Sequence, residues 1–541
     1  VDSRAKHVVT RYARLKADRA NLEGVWQEIA ELVRPMRADF NVQRQPGERR
    51  ALQVFDGSPG VAAENLASGL WSMVTNSANE WFRLRHPDED MNRRAEVAQW
   101  LDQVTAIMRD TFSAGGQRFY AAALENYADL VVFGTAPFFV AEGAMPGRLM
   151  FSNRSVAECV IAESALEEVD TVIRRFTFTA AQAYERWGPR AGSAVLKCVD
   201  GGKEPDRRFV FLHAVEPDTE GRRNRPRWRS LHVAEETGEV VQEGYFNEFP
   251  YMVPRWSTAT RGLYGDSPAM LALPDIKTLQ SMEKTQLISA QKAADPPLLA
   301  ADENALRSIR VTPGGITYGA VDQDGRVLVR PLDAGARFNL TIEMAEQKRQ
   351  AIRMAFYGAL LTMVATPGAT ATEVLARQEE QLRLMGPHLG RLTAEFHDPL
   401  IRRVFSVLWR AGQLPDPPLA LLDAPELSVE YVSPLARAQR ASEGAAIMRT
   451  LNAVQPLAAI NPAVLDNFDL DEVSRGLAET LGLPSRMLRD PQRIARERQE
   501  REAAAAAQAQ AAQLAAAAKP MSDAARGLRE IVQAETMASG A

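Results

Sequence analysis

Cysteine is almost missing from this chain: Cys159 and Cys198 are the two among 541 residues. A disulfide framework is therefore excluded, and the pair suits a reducing compartment. Each reads as a small buried hydrophobe. Histidine is also scarce. His7, His86, His213, His232, His388 and His397 form no cluster with metal-ligand spacing, and His388 and His397 sit on different turns of one expected helix. Neither His-Glu-x-x-His nor Cys-x-x-Cys occurs. Gly202-Lys203-Glu204 lacks the spacing and the Ser or Thr of a phosphate-binding loop. Gly57-Ser58-Pro59-Gly60 reads as a helix start. Carboxylates are too scattered to nominate a catalytic pair. The expectation is a protein with no catalytic residue, no metal and no cofactor.

An excess of positive charge is missing as well. The net charge is −5 and the isoelectric point about 5.9, which argues against a sequence-independent nucleic-acid binder with a strongly basic face. It leaves room for a protein that handles DNA without holding it tightly. No secretory pattern appears at Val1-Asp2-Ser3-Arg4, which run straight into an amphipathic helix. What is present is globular: 46% hydrophobic and 25% charged residues, with a length that suggests several domains.

Charge is absent from one stretch in particular. Residues 354–372 carry none, between Lys348, Arg349 and Arg353 on one side and Glu373 on the other. The run is nearly long enough to span a bilayer. However, Gly358, Pro367, Gly368 and four threonines interrupt it, so a smooth uncharged loop between two charged helices is the better reading.

Around that loop the chain reads as α+β, predominantly helical. Tyr12, Leu15, Leu22, Trp26, Ile29 and Val33 predict one helix over 3–34, stopped at Pro35. Further helices are expected at about 60–74, 92–114 and 117–132. Residues 149–256 turn β-rich, with runs at Arg208–Val215, Trp228–Val233 and Val240–Phe246 that predict a mixed sheet. A helix over 267–294 follows, about 40 Å long at 1.5 Å per residue. Lys277, Lys284 and Lys292 recur up one face of it. Ile316–Val321 and Arg326–Arg330 flank Asp324-Gly325, a hairpin signal, and Thr341–Phe356 reads as a returning helix. Thr370 and Glu373 have capping-box spacing at the head of a long helix kinked at Pro387 and Pro399. Leu427–Val432 predicts a strand returning to the earlier sheet. Beyond Pro434 the chain reads as helical, with twelve alanines in 503–518.

Several stretches resemble the portal, or head-to-tail connector, proteins of short-tailed bacteriophages, in that family's order. They are Trp26-x-x-Ile29 through Pro35; Leu66 to Leu70 with Trp81-Phe82; and Phe249 to Trp256 followed by Tyr264-Gly265-Asp266-Ser267-Pro268. Asp295-Pro296-Pro297, Thr370 to Val374 with Arg377, and Gly412 to Pro415 come next. They cover about residues 10–435. The resemblance implies a ring, usually of twelve copies, at one capsid vertex, passing double-stranded DNA without sequence specificity. Its partners would be the terminase, a tail adaptor and the major capsid protein, with no membrane. It implies a wing over 1–266, with its β part at about 149–256. Stem helices would span 267–295 and 339–357, with a clip at 296–338 and a tunnel loop at 358–371. A long kinked helix and wing return strand over 372–435 would lead to a crown over 436–490 and a helical barrel over 491–541.

The channel-lining residues would then be Leu360, Leu361, Thr362, Met363, Val364, Ala365, Thr366, Pro367, Gly368 and Thr370 in the loop. Lys277, Lys284 and Lys292 would line the stem. Ile316, Tyr318, Asp324, Gly325 and Arg326 would lie on the docking clip. No basic residue stands in the loop, so a gripping role for it is not expected. Two other classes stay open: a virion or scaffold component without a channel, and an enzyme acting on DNA ends.

Overall fold

The structure is a computed structural model. It describes residues 2–42, 47–48, 53–78, 80–114, 118–143, 145, 147–200, 204–218, 227–259, 262–300, 316, 320–321, 324–332, 338–358, 385–422, 427–432, 444, 446–456, 460–480, 487, 489 and 491–538. Helix dominates and strands are grouped, so the α+β class stands. Contacts divide the chain into two compact units. The first holds Val1–Phe82, Ala106–Leu414 and Tyr431–Leu435; the second holds Arg83–Thr105, Pro415–Glu430 and Ala436–Ala541.

In the first unit, α1 (Ser3–Asp18) and α2 (Ala20–Val33) replace the single helix expected over 3–34. Arg19 interrupts it at φ −103°, ψ 7°. Its side chain is buried, donating to Val156 O at 2.8 Å and Cys159 O at 2.5 Å and pairing with Glu23 at 2.9 Å. α3 (Ser58–Val74), the end of α5 (Ala95–Ser113) and α6 (Phe119–Phe133) follow.

β2 (Phe138–Glu142), β3 (Leu149–Asn153) and β9 (Tyr251–Met252) form a small sheet in the order β3-β2-β9. The larger sheet is β4 (Cys159–Glu163), β5 (Val169–Thr179), β6 (Arg208–Pro217), β7 (Trp228–Ala234) and β8 (Glu239–Phe246), in sequence order. Every pairing in it is antiparallel, which corrects the expected mixed sheet: strands adjacent in sequence pair directly, so the chain reverses at each connection, including the long helical one from Thr179 to Arg208. The turn between β7 and β8 has Gly238 at φ 63°, the left-handed position that glycine takes without strain.

Both faces of that sheet are covered. Ala5, Val8, Tyr12 and Leu15 of α1 pack on Val160, Ile173, Leu212, Leu231 and Val233. On the other face α7 (Ala180–Trp187) and α8 (Ser193–Asp200) pack on Phe176, Phe209 and Phe211. Glu216, itself buried, takes Arg11 of α1 at 2.5 Å and Arg229 of β7 at 2.8 Å, fixing α1 to the sheet.

The unit continues through α9 (Pro268–Ala294), the ribbon β10 (Leu298–Ala300) with β11 (Val329–Pro331), and α10 (Phe338–Ala355). A π-helical turn, Thr393–His397, precedes α11 (Asp398–Arg410), whose second residue is Pro399. The expected irregularity at this proline is thus a widened turn just before it. Gly412 ends the helix at φ 64°.

In the second unit, β1 (Phe82–Arg85) pairs with β12 (Ser428–Tyr431) in a two-stranded sheet. The strand expected at 427–432 thus joins neither larger sheet. Arg85 meets Glu430 at 2.7 Å, and Ser428 Oγ donates to Arg85 O at 3.1 Å, so the pairing is fixed by side chains as well as backbone. α4 (Glu89–Asn92), α12 (Leu419–Leu422), α13 (Leu470–Thr480) and α14 (Pro491–Ala538) complete it. Trp100 Nε1 donates to Pro415 O at 2.9 Å.

Candidate functional site

The two helices α9 and α10 are the centre of the candidate site. Ser267 caps α9: its side chain accepts from Met270 N at 3.0 Å, and Pro268 occupies a first-turn position where no backbone donor is needed. The same hydroxyl donates to Val132 O at 2.8 Å, so the cap also ties the helix start to the end of α6. Pro274 lies inside α9, and the helix runs on through it. α9 leads into β10, β11 leads into α10, and the two strands pair antiparallel. The helices therefore run in opposite directions, as expected of a stalk.

Ion pairs hold them together. Lys348 meets Asp275 at 2.7 Å, and Arg349 pairs with Glu283. Arg349 Nε also reaches Asp56 at 2.8 Å. Burial pushes the Asp56 carboxyl up, but hydrogen bonds from Ser58 and the Arg349 guanidinium outweigh it and hold the group below its usual range. Gln280 is buried on α9 and clamps the same segment: its oxygen accepts from Phe55 N and Asp56 N at 2.7 and 2.9 Å, and its amide donates to Asp56 O at 2.7 Å. Residues 55 and 56 are thus the joint between α3, α9 and α10. Sequence reasoning passed over Gln280; the signal was a polar residue four places after Ile276, on the apolar side of the helix.

Lys277, Lys284 and Lys292 are all exposed on α9. Lys277 pairs with Glu28 at 3.1 Å, and the Lys284 ammonium stands 5.8 Å from the Phe55 ring centroid. Lys292 makes no ion pair among the described residues. They are therefore not equivalent: one is already neutralised within its own chain.

In the segment expected to form the clip, Asp324, Gly325 and Arg326 are exposed, with Gly325 at φ 75°. Val321 bridges Val327, and Leu328 N donates to Ala320 O at 2.9 Å, so the expected hairpin turn is present. Ile316 is exposed and Tyr318 lies outside the described residues. So do all ten loop residues named above, from Leu360 to Thr370, together with the capping box and charge pairs expected at 370–383.

The residues on either side of that run meet. Tyr357, at φ 55°, places its hydroxyl 3.0 Å from His388 Nε2; His388 Nδ1 is 3.0 Å from Trp256 O. A carbonyl only accepts, so Nδ1 donates to Trp256 O. Trp256 stacks on the His388 ring at 4.5 Å and 18°. His397 belongs elsewhere: it is buried with Nε2 3.0 Å from the Tyr127 hydroxyl. Both histidines are thus held by hydrogen bonds within the chain. Among the described residues no group of three or more His, Cys, Asp or Glu could hold a metal ion. No helix among them is long and apolar enough to cross a membrane.

Two antiparallel helices carrying a small β ribbon, tied to a helical and β body by ion pairs and the Gln280 clamp, make up the architecture of a structural protein. The family model for bacteriophage head to tail connecting proteins matches residues 5–488, and the chain belongs to that family. The probable portal protein of Bordetella phage BPP-1 is 30% identical over 508 residues, covering 92% of this chain and 91% of its own. The portal protein of Salmonella phage epsilon15 is 29% identical over 555 residues, covering 99% and 96%.

Proposed function

We propose that this chain serves as a phage portal, closing with further copies of itself into a ring, usually of twelve, at one vertex of the capsid. Double-stranded DNA passes along the ring axis during packaging and ejection. The chain does no chemistry of its own. On this reading residues 1–266 and 372–435 form the wing, α9 and α10 the stem, and 296–338 the clip that docks the terminase and later a tail adaptor. Residues 358–371 form the tunnel loop, 436–490 the crown and 491–541 a barrel. The wing faces the major capsid protein, and the assembled ring is part of the virion.

One observation carries this reading. From residue 281 to 294, α9 buries no side chain within its own chain, and Leu287 and Ile288 are 53% and 41% exposed. Helices in water gain most of their stability from burying an apolar face, so this half of α9 needs a neighbour. A ring supplies one to every copy. The alanine-rich α14 fits the same logic, since small side chains allow copies to pack closely around an axis. Within one chain Glu497 already takes Arg489 and Arg493, and Arg498 takes Asp471; Arg496 and Glu500 remain to set register between neighbours.

Duplex DNA carries one charge per roughly 1.7 Å, and each lysine or arginine on a phosphate adds salt-dependent affinity. A conduit lined by many strong contacts would stall. An uncharged constriction and few stem lysines keep DNA centred without trapping it. Negative-stain microscopy of the purified chain with rotational analysis tests the proposal: closed rings with an axial hole are expected. A chain that stays monomeric at all concentrations, or assembles into particles without a hole, overturns it.

A further inference from the structure

α10 closes one residue before its glycine. Its last bonds run from Phe356 N to Ile352 O at 3.1 Å and from Tyr357 N to Met354 O at 3.0 Å, and Tyr357 stands at φ 55°. A left-handed residue whose N–H returns to the last turn is the usual C-cap of a helix. That place suits glycine, because a Cβ in this conformation crowds the following carbonyl. Gly358 comes next, yet its φ is not positive and the tyrosine takes the turn. Among the described residues no other side-chain-bearing residue ends a helix this way: Arg118 precedes α6, and Glu167 lies between β4 and β5.

The side chain of Tyr357 is what its backbone conformation serves. Its hydroxyl stands 3.0 Å from His388 Nε2, and its ring lies 6.0 Å from those of both His388 and Trp256. His388 is bonded in turn to Trp256 O. Trp256 is fixed in the body, its N–H on Gly134 O at 2.9 Å, and the preceding Arg255 N donates to Glu395 Oε2 at 2.7 Å. Glycine at 358 fits the observed cap too, since a Cβ there would stand 2.8 Å from Arg353 O. A left-handed tyrosine is thus set against one hydrogen bond and two ring contacts. These are quantities of similar size, so the loss of one contact is enough to tip the balance.

We propose that the C-cap of α10 has two registers, one residue apart, and that the contact of Tyr357 with His388 and Trp256 selects the observed one. In the second register Gly358 takes the left-handed place, Tyr357 turns right-handed and α10 is one residue longer. Phe356 is fully buried and keeps its position, so the change begins at 357. One more helical residue turns the chain by about 100° and advances it by about 1.5 Å. The Tyr357 side chain swings away from His388, and the uncharged run leaves the helix in a different direction. The two registers stand whether or not this run lines a channel; that it then has two discrete settings rests on the portal reading above.

Two variants of the full-length chain, Tyr357→Phe and His388→Ala, release the contact from opposite sides. Their structures, determined by electron cryo-microscopy or crystallography in whatever assembly state the chain adopts, test the proposal. Residue 357 is expected to move from φ 55° to about −60°, with Gly358 at positive φ. Tyr357→Gly should do the opposite: glycine takes the left-handed place without strain, so residue 357 stays at positive φ although the hydroxyl is gone. Positive φ at 357 in both releasing variants overturns the proposal, as does a shift to negative φ in Tyr357→Gly. Rings that form without an axial hole would count against the portal reading and leave this test intact.

Discussion

Gly134 and Gly265 meet backbone to backbone. A Cβ on Gly134 would stand 2.1 Å from Gly265 O, and a Cβ on Gly265 would stand 2.3 Å from Gly134 O. Gly134 ends α6 at φ 74°, its carbonyl accepts from Trp256 N at 2.9 Å, and Gly265 N donates to Thr135 Oγ1 at 2.8 Å. This contact sets the origin of α9, two residues before its cap, and thereby the direction in which that helix leaves the end of α6.

Gly134→Ala is therefore expected to destabilise the chain. The left-handed conformation alone costs about 1 kcal/mol, and the clash is with backbone that cannot step aside. Urea denaturation should show a loss of at least about 2 kcal/mol. Gly57→Ala is the control: Gly57 has φ −86° and open space around it, and its substitution should change little.

Gln280 carries the next expectation. Removing its amide in Gln280→Leu leaves Phe55 N, Asp56 N and Asp56 O without that partner. Buried unsatisfied groups cost about 1–3 kcal/mol each, so a loss of about 2 kcal/mol or more is expected in denaturant. Hydrogen exchange at residues 55 and 56 should accelerate more than at Trp26 Nε1, which donates to Phe133 O at 3.0 Å elsewhere in the unit.

Much of this frame was legible. Ser267-Pro268 announced α9, Asp324-Gly325 the hairpin, and the stripe Leu400, Val404, Leu408 the helix α11, because caps, turns and periodicity are local. What was not legible depends on distant partners. β4 is apolar on both faces, so its run Cys159-Val160-Ile161 shows no alternation. β5 contains Arg174 and Arg175 side by side, which looks like surface; in the structure they point to opposite faces and each finds its own carboxylate, Glu158 and Glu235. The break at Arg19 is hidden because the apolar stripe continues across it. Of the candidate site, the lysines were legible as a row. That Lys277 is paired, and Lys292 is not among the described residues, follows only from what α2 brings near.

That difference yields an expectation for the stem. Lys277→Gln breaks an exposed pair worth no more than about 1 kcal/mol, and should barely change stability or the salt response. Lys292→Gln removes a charge with no partner among the described residues. In assembled particles, the salt dependence of DNA retention should fall by about one unit of log–log slope for each phosphate no longer neutralised. Equal effects from the two variants would remove Lys292 from the channel wall.

The last expectation concerns pH. Burial drives His232 and His397 down to about 3, and His213 well below its ordinary 6.5, with the neighbouring His232 adding to the effect on His213. In the unfolded chain each takes a proton near pH 6.5; in the folded chain each stays neutral until far lower. The unfolded state thus binds more protons across this window, and stability must rise with pH. The contribution of the neutral rings is complete above about 6.5 and erodes as pH falls towards about 3, by about 1.4 kcal/mol per pH unit for each histidine. Denaturant midpoints measured from pH 7.5 to 5 should therefore decline steeply below 6.5. His397→Gln, whose amide still reaches the Tyr127 hydroxyl, should lower stability at pH 7 yet flatten the slope by one histidine's share. An unchanged slope in that variant would mean that His397 already titrates alike in both states.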